Sequence, residues 1–243
     1  MNDSEIARLF ADLEHSDKPT VRSAVDTLIP LAAHSSDLRN LLYQRLSPSG
    51  YASWAGAYVL AHLPDPSATV MQILIAALDH REPDVRWAIA LLLVRLAKQD
   101  ANLRKRLIEL CGNGTANQKR MAIYCLRDLT PTDTASLEAL LASLNDAEPT
   151  VRVATIIALK ERTDADARIR NSLLEAYIKD ADARVRNAAA ITLASLGAPS
   201  ENFLAALKEN ERSEDPQARK AAHAAYALLE KRRAASTGDK LGD

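Results

Sequence analysis

Aromatic residues make up only 4% of this chain, and glycine occurs seven times in 243 residues. A β-sandwich or a doubly wound sheet draws on aromatic and β-branched strand residues and on turn glycines, so this composition excludes both. Cysteine is as scarce. Cys111 and Cys125 form no CxxC pair and no disulfide framework, and they read as packing residues of a protein in a reducing compartment. Charge of one sign is missing too: 31 Lys+Arg stand against 32 Asp+Glu, a net of -1, which argues against a whole-molecule polyanion binder. The most apolar run, Trp87 to Val94, is closed by Arg86 and Arg95. It is far short of the roughly 20 residues that span a bilayer. Met1 to Asp12 is charged and lacks the basic-then-apolar pattern of an export leader. A cytoplasmic protein with no membrane segment is expected.

Motifs for chemistry are absent as well. His15, His34, His62, His80 and His223 have no metal-ligand partner three or four residues away, and HExxH, GxSxG, P-loop and GxGxxG patterns do not occur. Gly112-Asn113-Gly114 lacks a following Lys-Ser/Thr and reads as a turn between helices. No catalytic residue, metal or cofactor is expected.

What the chain has is alanine and leucine within a 47% hydrophobic total, the makings of an all-α fold. It also has a repeat. TVRSAVDTLIPLA from Thr20, DVRWAIALLLVRLA from Asp84, QKRMAIYCLRDL from Gln118, TVRVATIIALKER from Thr150, RVRNAAAITLASLG from Arg184 and QARKAAHAAYALLE from Gln217 align, with a weaker copy from Tyr51. The anchors are Arg22, Ser53, Arg86, Arg120, Arg152, Arg186 and Arg219, spaced 31, 33, 34, 32, 34 and 33 residues apart, with alanine two residues after each. An amphipathic segment, a polar turn and a second helix make each unit a helical hairpin. Pro19, Pro83, Pro149 and Pro216 sit where a first helical turn tolerates them, and acidic residues beside them cap the new helix. Seven such units stack into an α-solenoid, since none buries its apolar face alone. The array is expected to span 1–233, with 234–243 a flexible tail.

The recurring D-x-x-P-x-V-R-x-A-A-x-x-x-L pattern, clearest in DAEPTVRVATIIALKE and DADARVRNAAAITLASLG, resembles the HEAT-repeat family in its short bacterial form. That resemblance implies that the arginine column holds units together by pairing with acids of neighbouring repeats. It also implies that positions +1, +5 and +9 from the anchor line a concave surface. Trp54, Tyr58, Trp87, Leu91, Met121, Val153 and Ile157 occupy the first two of these columns, an apolar stripe suited to an amphipathic helix or apolar peptide. The expected role is therefore a non-catalytic scaffold or adaptor with a protein partner, the stripe serving alternatively for homodimerisation or packed away as core. From Arg95 to Arg127 eight basic residues face two acidic ones. Arg104, Lys105, Arg106 and Lys119 form a candidate basic rim there, although nucleic acid is not the expected partner, and Arg120 is expected in a structural ion pair. HEAT-like folds also include bilin lyases and alkylpurine DNA glycosylases, which stand as the alternative. The His-Glu pairs needed by their iron-dependent deoxyhypusine hydroxylases are missing.

Overall fold

Nine of the helices start where the sequence supplies a capping side chain. Asn2, Asp17, Ser35, Ser67, Asp100, Thr115, Asp133, Asp182 and Ser200 all accept a backbone N–H from the first turn of the helix they precede. The result, in a computed structural model that describes residues 2–46, 53–129, 133–160, 167–196 and 199–238, is fourteen α-helices and no strand among the described residues. They pair as the sequence predicts: α1 (Asp3–Leu13) with α2 (Lys18–His34), α3 (Ser36–Gln44) with α4 (Trp54–Leu60), and α5 (Ala68–Ala77) with α6 (Pro83–Ala97). Then come α7 (Ala101–Asn113) with α8 (Ala116–Asp128), α9 (Thr134–Ser143) with α10 (Pro149–Lys160), α11 (Ala167–Lys179) with α12 (Ala183–Ser195), and α13 (Glu201–Glu211) with α14 (Pro216–Gly238). The last helix runs beyond residue 233, and 239–243 lie outside the described residues.

The seven hairpins fall into two compact units, residues 1–99 with three and 100–243 with four. In the second unit the second helices pack in succession, α8 on α10, α10 on α12 and α12 on α14, while the first helices back them. In the first unit α2 packs on α4 and α5 bridges α4 and α6. Cores are aliphatic: Leu28, Leu60, Leu74, Ile89 and Leu93 are fully buried in the first unit, and Leu107, Ile123, Leu140, Ile156, Leu173 and Leu207 in the second.

A shared turn joins the two helices of most hairpins. Three residues before the start of the second helix, a side chain accepts the N–H of the residue that precedes that helix. The acceptor is His15 (3.0 Å), His80 (3.1 Å), Asp146 (2.9 Å), Asp180 (2.8 Å) or Ser213 (3.2 Å). The anchor arginine then closes the turn from the other side. Nη1 of Arg86, Arg152, Arg186 and Arg219 donates to the carbonyls of the residues six and five positions earlier, at 2.6–3.2 Å. These carbonyls end the first helix or follow it, where no intrahelical N–H reaches them.

The column also ties units together, as the family resemblance implies. Nε and Nη2 of Arg152 donate to Asp180 at 2.7 Å each, and Nη2 of Arg186 donates to Asp215 at 2.7 Å. In the fourth hairpin, however, the rung is Lys119, whose Nζ lies 2.7 Å from Asp146. Lys119, not Arg120, is therefore the structural anchor. It is the fourth residue of α8, as Arg86, Arg152, Arg186 and Arg219 are of theirs. The corrected spacings on either side become 33 and 33. Arg120, expected in an ion pair, has none among the described residues, and Met121 rather than Ala122 holds the second position after the anchor.

The second hairpin breaks the ladder. Its stretch from Leu46 to Ser53 contains no Asp or Glu. Lys18 at the start of α2 instead reaches the third hairpin, with Nζ 2.8 Å from Asp84 and 3.1 Å from Glu82. Gly114, between α7 and α8, is needed for close approach: a Cβ there would lie 2.8 Å from the Leu110 carbonyl and 2.9 Å from Gln118 Cβ. The Gly112-Asn113-Gly114 turn is thus confined to its last residue, the first two belonging to α7.

Candidate functional site

Side chains one, five and nine residues after the anchor lie on one face of each second helix. In the first unit that face carries rings. Trp54 and Tyr58 of α4 are half-buried, while Trp87 and Leu91 of α6 are 40% and 60% exposed. Trp54 is held edge-on to His80 with ring centroids 6.0 Å apart. Tyr58 stacks obliquely on His62 at 4.8 Å, and the His62 Nδ1 is 2.9 Å from the Tyr58 carbonyl. Trp54 and Tyr58 thus each pack on a histidine ring and keep part of their surface in solvent. Burial raises the Tyr58 phenol pKa above its ordinary value, and Arg95, Asp26 and Arg22 act on it as nearby charges.

In the second unit, Ile157 of α10 is 39% exposed and Val153 is half-buried. Met121 does not join them. It is 5% exposed, and Cys125, four residues on, is 1% exposed. The reason is the register of α8: counted from Lys119, both residues fall on the core side. Arg120 and Tyr124 take the outward positions instead, with the Arg127 guanidinium 5.3 Å above the Tyr124 ring and its Nε donating to Asp128 at 2.7 Å. Even spacing and the fourth-residue rule after the Thr115 cap were the signals that pick out Lys119.

The basic rim does not assemble as expected. Lys119 is occupied by Asp146, and Arg104 lies 3.8 Å from Asp133. Lys105 and Arg106 are exposed on α7, a first helix, in the other layer from α8. Both cysteines are buried. Burial pushes the Cys111 thiol up to about 12 and raises Cys125 as well, so neither is a nucleophile near neutral pH. A broad depression of about 560 Å³ beside α13 and α14 is lined by Lys208, Glu211, His223, Tyr226 and Glu230, a mixture of charges that selects no one ligand. Among the described residues no group of three His, Cys, Asp or Glu is placed to hold a metal, and no helix is long and apolar enough to cross a membrane.

His80 makes the first unit sensitive to pH. Burial, then the Arg81 charge, lowers its pKa below the ordinary 6.5, with Glu82 opposing and Arg86 adding to the shift. Its Nδ1 is an acceptor only in the neutral ring. Because the unfolded chain binds this proton more readily, the contribution is fully present above pH 6.5 and is lost as pH falls toward the lowered value. His62 is lowered by burial in the same direction. Thermal melting of the first unit, followed by tryptophan fluorescence, should therefore drop over that window. His80→Asn, which keeps a neutral acceptor, should flatten the dependence, and an unchanged slope would reject this account.

Comparison with known proteins agrees with this architecture. A family profile described as HEAT repeats matches residues 137–228. No curated protein matches the chain in sequence. Among solved structures, the X-ray structure of Escherichia coli YibA is similar with a TM-score of 0.58 at 18% identity, covering 94% of this chain and 82% of that one. A chain from a structure of Kap95p with RanGDP gives 0.65 at 16% identity, covering 100% of this chain and 35% of that chain, so the present protein spans about a third of its length. Human deoxyhypusine hydroxylase gives 0.44 at 16% identity over 94% of this chain and 96% of that one, a likeness too loose to bear on activity. Residues 137–228 thus match the HEAT-repeat profile, and the chain as a whole has a helical-repeat fold.

Proposed function

We propose that the protein is a non-catalytic scaffold or adaptor that docks a partner protein on the outward face of its second helices. One observation carries this: both tryptophans of the chain, with Tyr58 and Leu91, lie on that face in the first unit, Trp87 and Leu91 well exposed. A solenoid core needs no such residues, since its buried positions here are almost all Leu, Ile, Val and Ala. Large exposed side chains gathered on one helical face are the features of binding hot spots. Ile157 offers a second, smaller contact in the second unit.

Affinity capture from the native host tests the role, using the full chain beside Trp87→Glu and, separately, Ile157→Glu. Both substitutions are at exposed positions and should leave stability within about 0.5 kcal/mol of the parent. Trp87→Glu should weaken a specific partner by about 2 kcal/mol or more, roughly thirtyfold. Retention of every partner by both folded variants would remove the docking role.

A further inference from the structure

The arginines beside the aromatic face differ from the rest of their column. Arg86, Arg152, Arg186 and Arg219 are tied to turn carbonyls, and two of them to an acid of the next hairpin. Arg22 has no such ties. The second hairpin offers no acid between Leu46 and Ser53, and Arg22 is exposed with no hydrogen bond or ion pair among the described residues. Arg95 is likewise exposed and without a partner there. It follows Leu91 by four residues and Trp87 by eight, which puts it on their side of α6. Both guanidiniums lie near enough to act on the Tyr58 phenol, as does one carboxylate, Asp26. Lys98, exposed at the end of α6, adds a further cation.

The face thus combines apolar side chains with two arginines and one acid, Asp26, near Tyr58, while Glu82 and Asp84 are taken up by Lys18. A purely apolar partner would strip water from two arginines and give them nothing in return, and a basic partner would meet like charge. From this arrangement we infer that the first unit binds an acidic amphipathic segment, its large apolar side chains on Trp54, Tyr58, Trp87 and Leu91 and its carboxylates on Arg22 and Arg95. The inference rests on the docking role proposed above and adds the chemistry of the partner.

The test uses intrinsic fluorescence, because the only two tryptophans are on the face concerned. The full chain is titrated with a helical peptide of about 15 residues carrying Leu and Phe at i, i+3, i+4 and i+7 spacing and Glu elsewhere, and with the same peptide bearing Lys for every Glu. The acidic peptide should shift the emission and bind at least about tenfold more tightly at low salt, with the preference shrinking as salt rises. Arg22→Glu with Arg95→Glu should reverse the preference. If that pair impairs folding by circular dichroism, Arg22→Gln with Arg95→Gln should narrow it. Equal binding of both peptides, lost in Trp87→Glu, overturns the acidic preference and leaves the docking role standing. Tighter binding of the lysine peptide overturns it too. So does binding of neither, in which case the docking role is decided separately by the capture experiment.

Discussion

Arg152→Ala should cost the second unit about 3 kcal/mol, far more than removal of any exposed ion pair. Its side chain is only 14% exposed and that of Asp180 only 9%. The guanidinium satisfies two carboxylate oxygens of the next hairpin at 2.7 Å each and two carbonyls of its own turn at 2.8 and 3.2 Å. Truncation leaves a nearly buried carboxylate and two carbonyls without their donor. Arg152→Lys should recover little, because a point charge on a flexible stem cannot serve both sides of the turn. Arg184→Ala is the control: its pair with Asp182 is equally short, but Arg184 is 67% exposed, and the change should fall within about 1 kcal/mol of zero. Urea unfolding of the three variants checks the ranking, and equal losses for Arg152→Ala and Arg184→Ala would defeat it. Acid should act on the same rung. Burial by itself would raise the Asp180 carboxyl, but the Arg152 fork outweighs it and the pKa lies below the ordinary 3.8, as it does for Asp146 beside Lys119. These groups contribute stability above about pH 3.8 that is lost as pH falls through their lowered values. The Arg152→Ala chain should show a weaker acid dependence than the parent.

Phe203→Ala should be as damaging, by about 3–5 kcal/mol, but differently distributed along the chain. Phe203 of α13 and Tyr177 of α11 are each 1% exposed and meet edge to face, ring centroids 5.8 Å apart at 79°. They are the largest side chains buried in the second unit, and they join its last two hairpins. In a stacked array each hairpin depends mainly on its neighbours, so the loss should appear first where the ring was. Hydrogen exchange should show protection falling across α13 and α14 while α1 to α6 keep theirs. A uniform fall over the whole chain would show that the hairpins unfold together instead.

The number and pairing of the helices were legible because they depend on local features, namely apolar periodicity, N-caps and helix-opening prolines. The alanine column led the register astray at one place. In Gln118-Lys119-Arg120 two basic residues are adjacent, and Ala122 makes Arg120 fit the pattern. Even spacing favours Lys119 and the alanine column favours Arg120, and the contact that decides between them, Lys119 to Asp146, is 27 residues away in sequence. That single slip exchanged Met121 for Arg120 on the outward face. Trp87 and Leu91, by contrast, could be placed from the pattern, since α6 keeps the common register. The side on which Lys119 was spent could not, for a lysine in a basic stretch looks the same in sequence whether it meets solvent or a carboxylate.

The bridge from Lys18 to Asp84 and Glu82 has its consequence in how the first three hairpins come together. In an array where each repeat touches only the next, folding can begin anywhere and spread like a zipper. Here a contact 66 residues apart skips the second hairpin and couples the first directly to the third. Such a link closes a long loop, but both side chains are more than half exposed, so it adds only a small bias toward bringing the three hairpins together. The irregular second hairpin is thereby flanked by two neighbours that also touch each other directly.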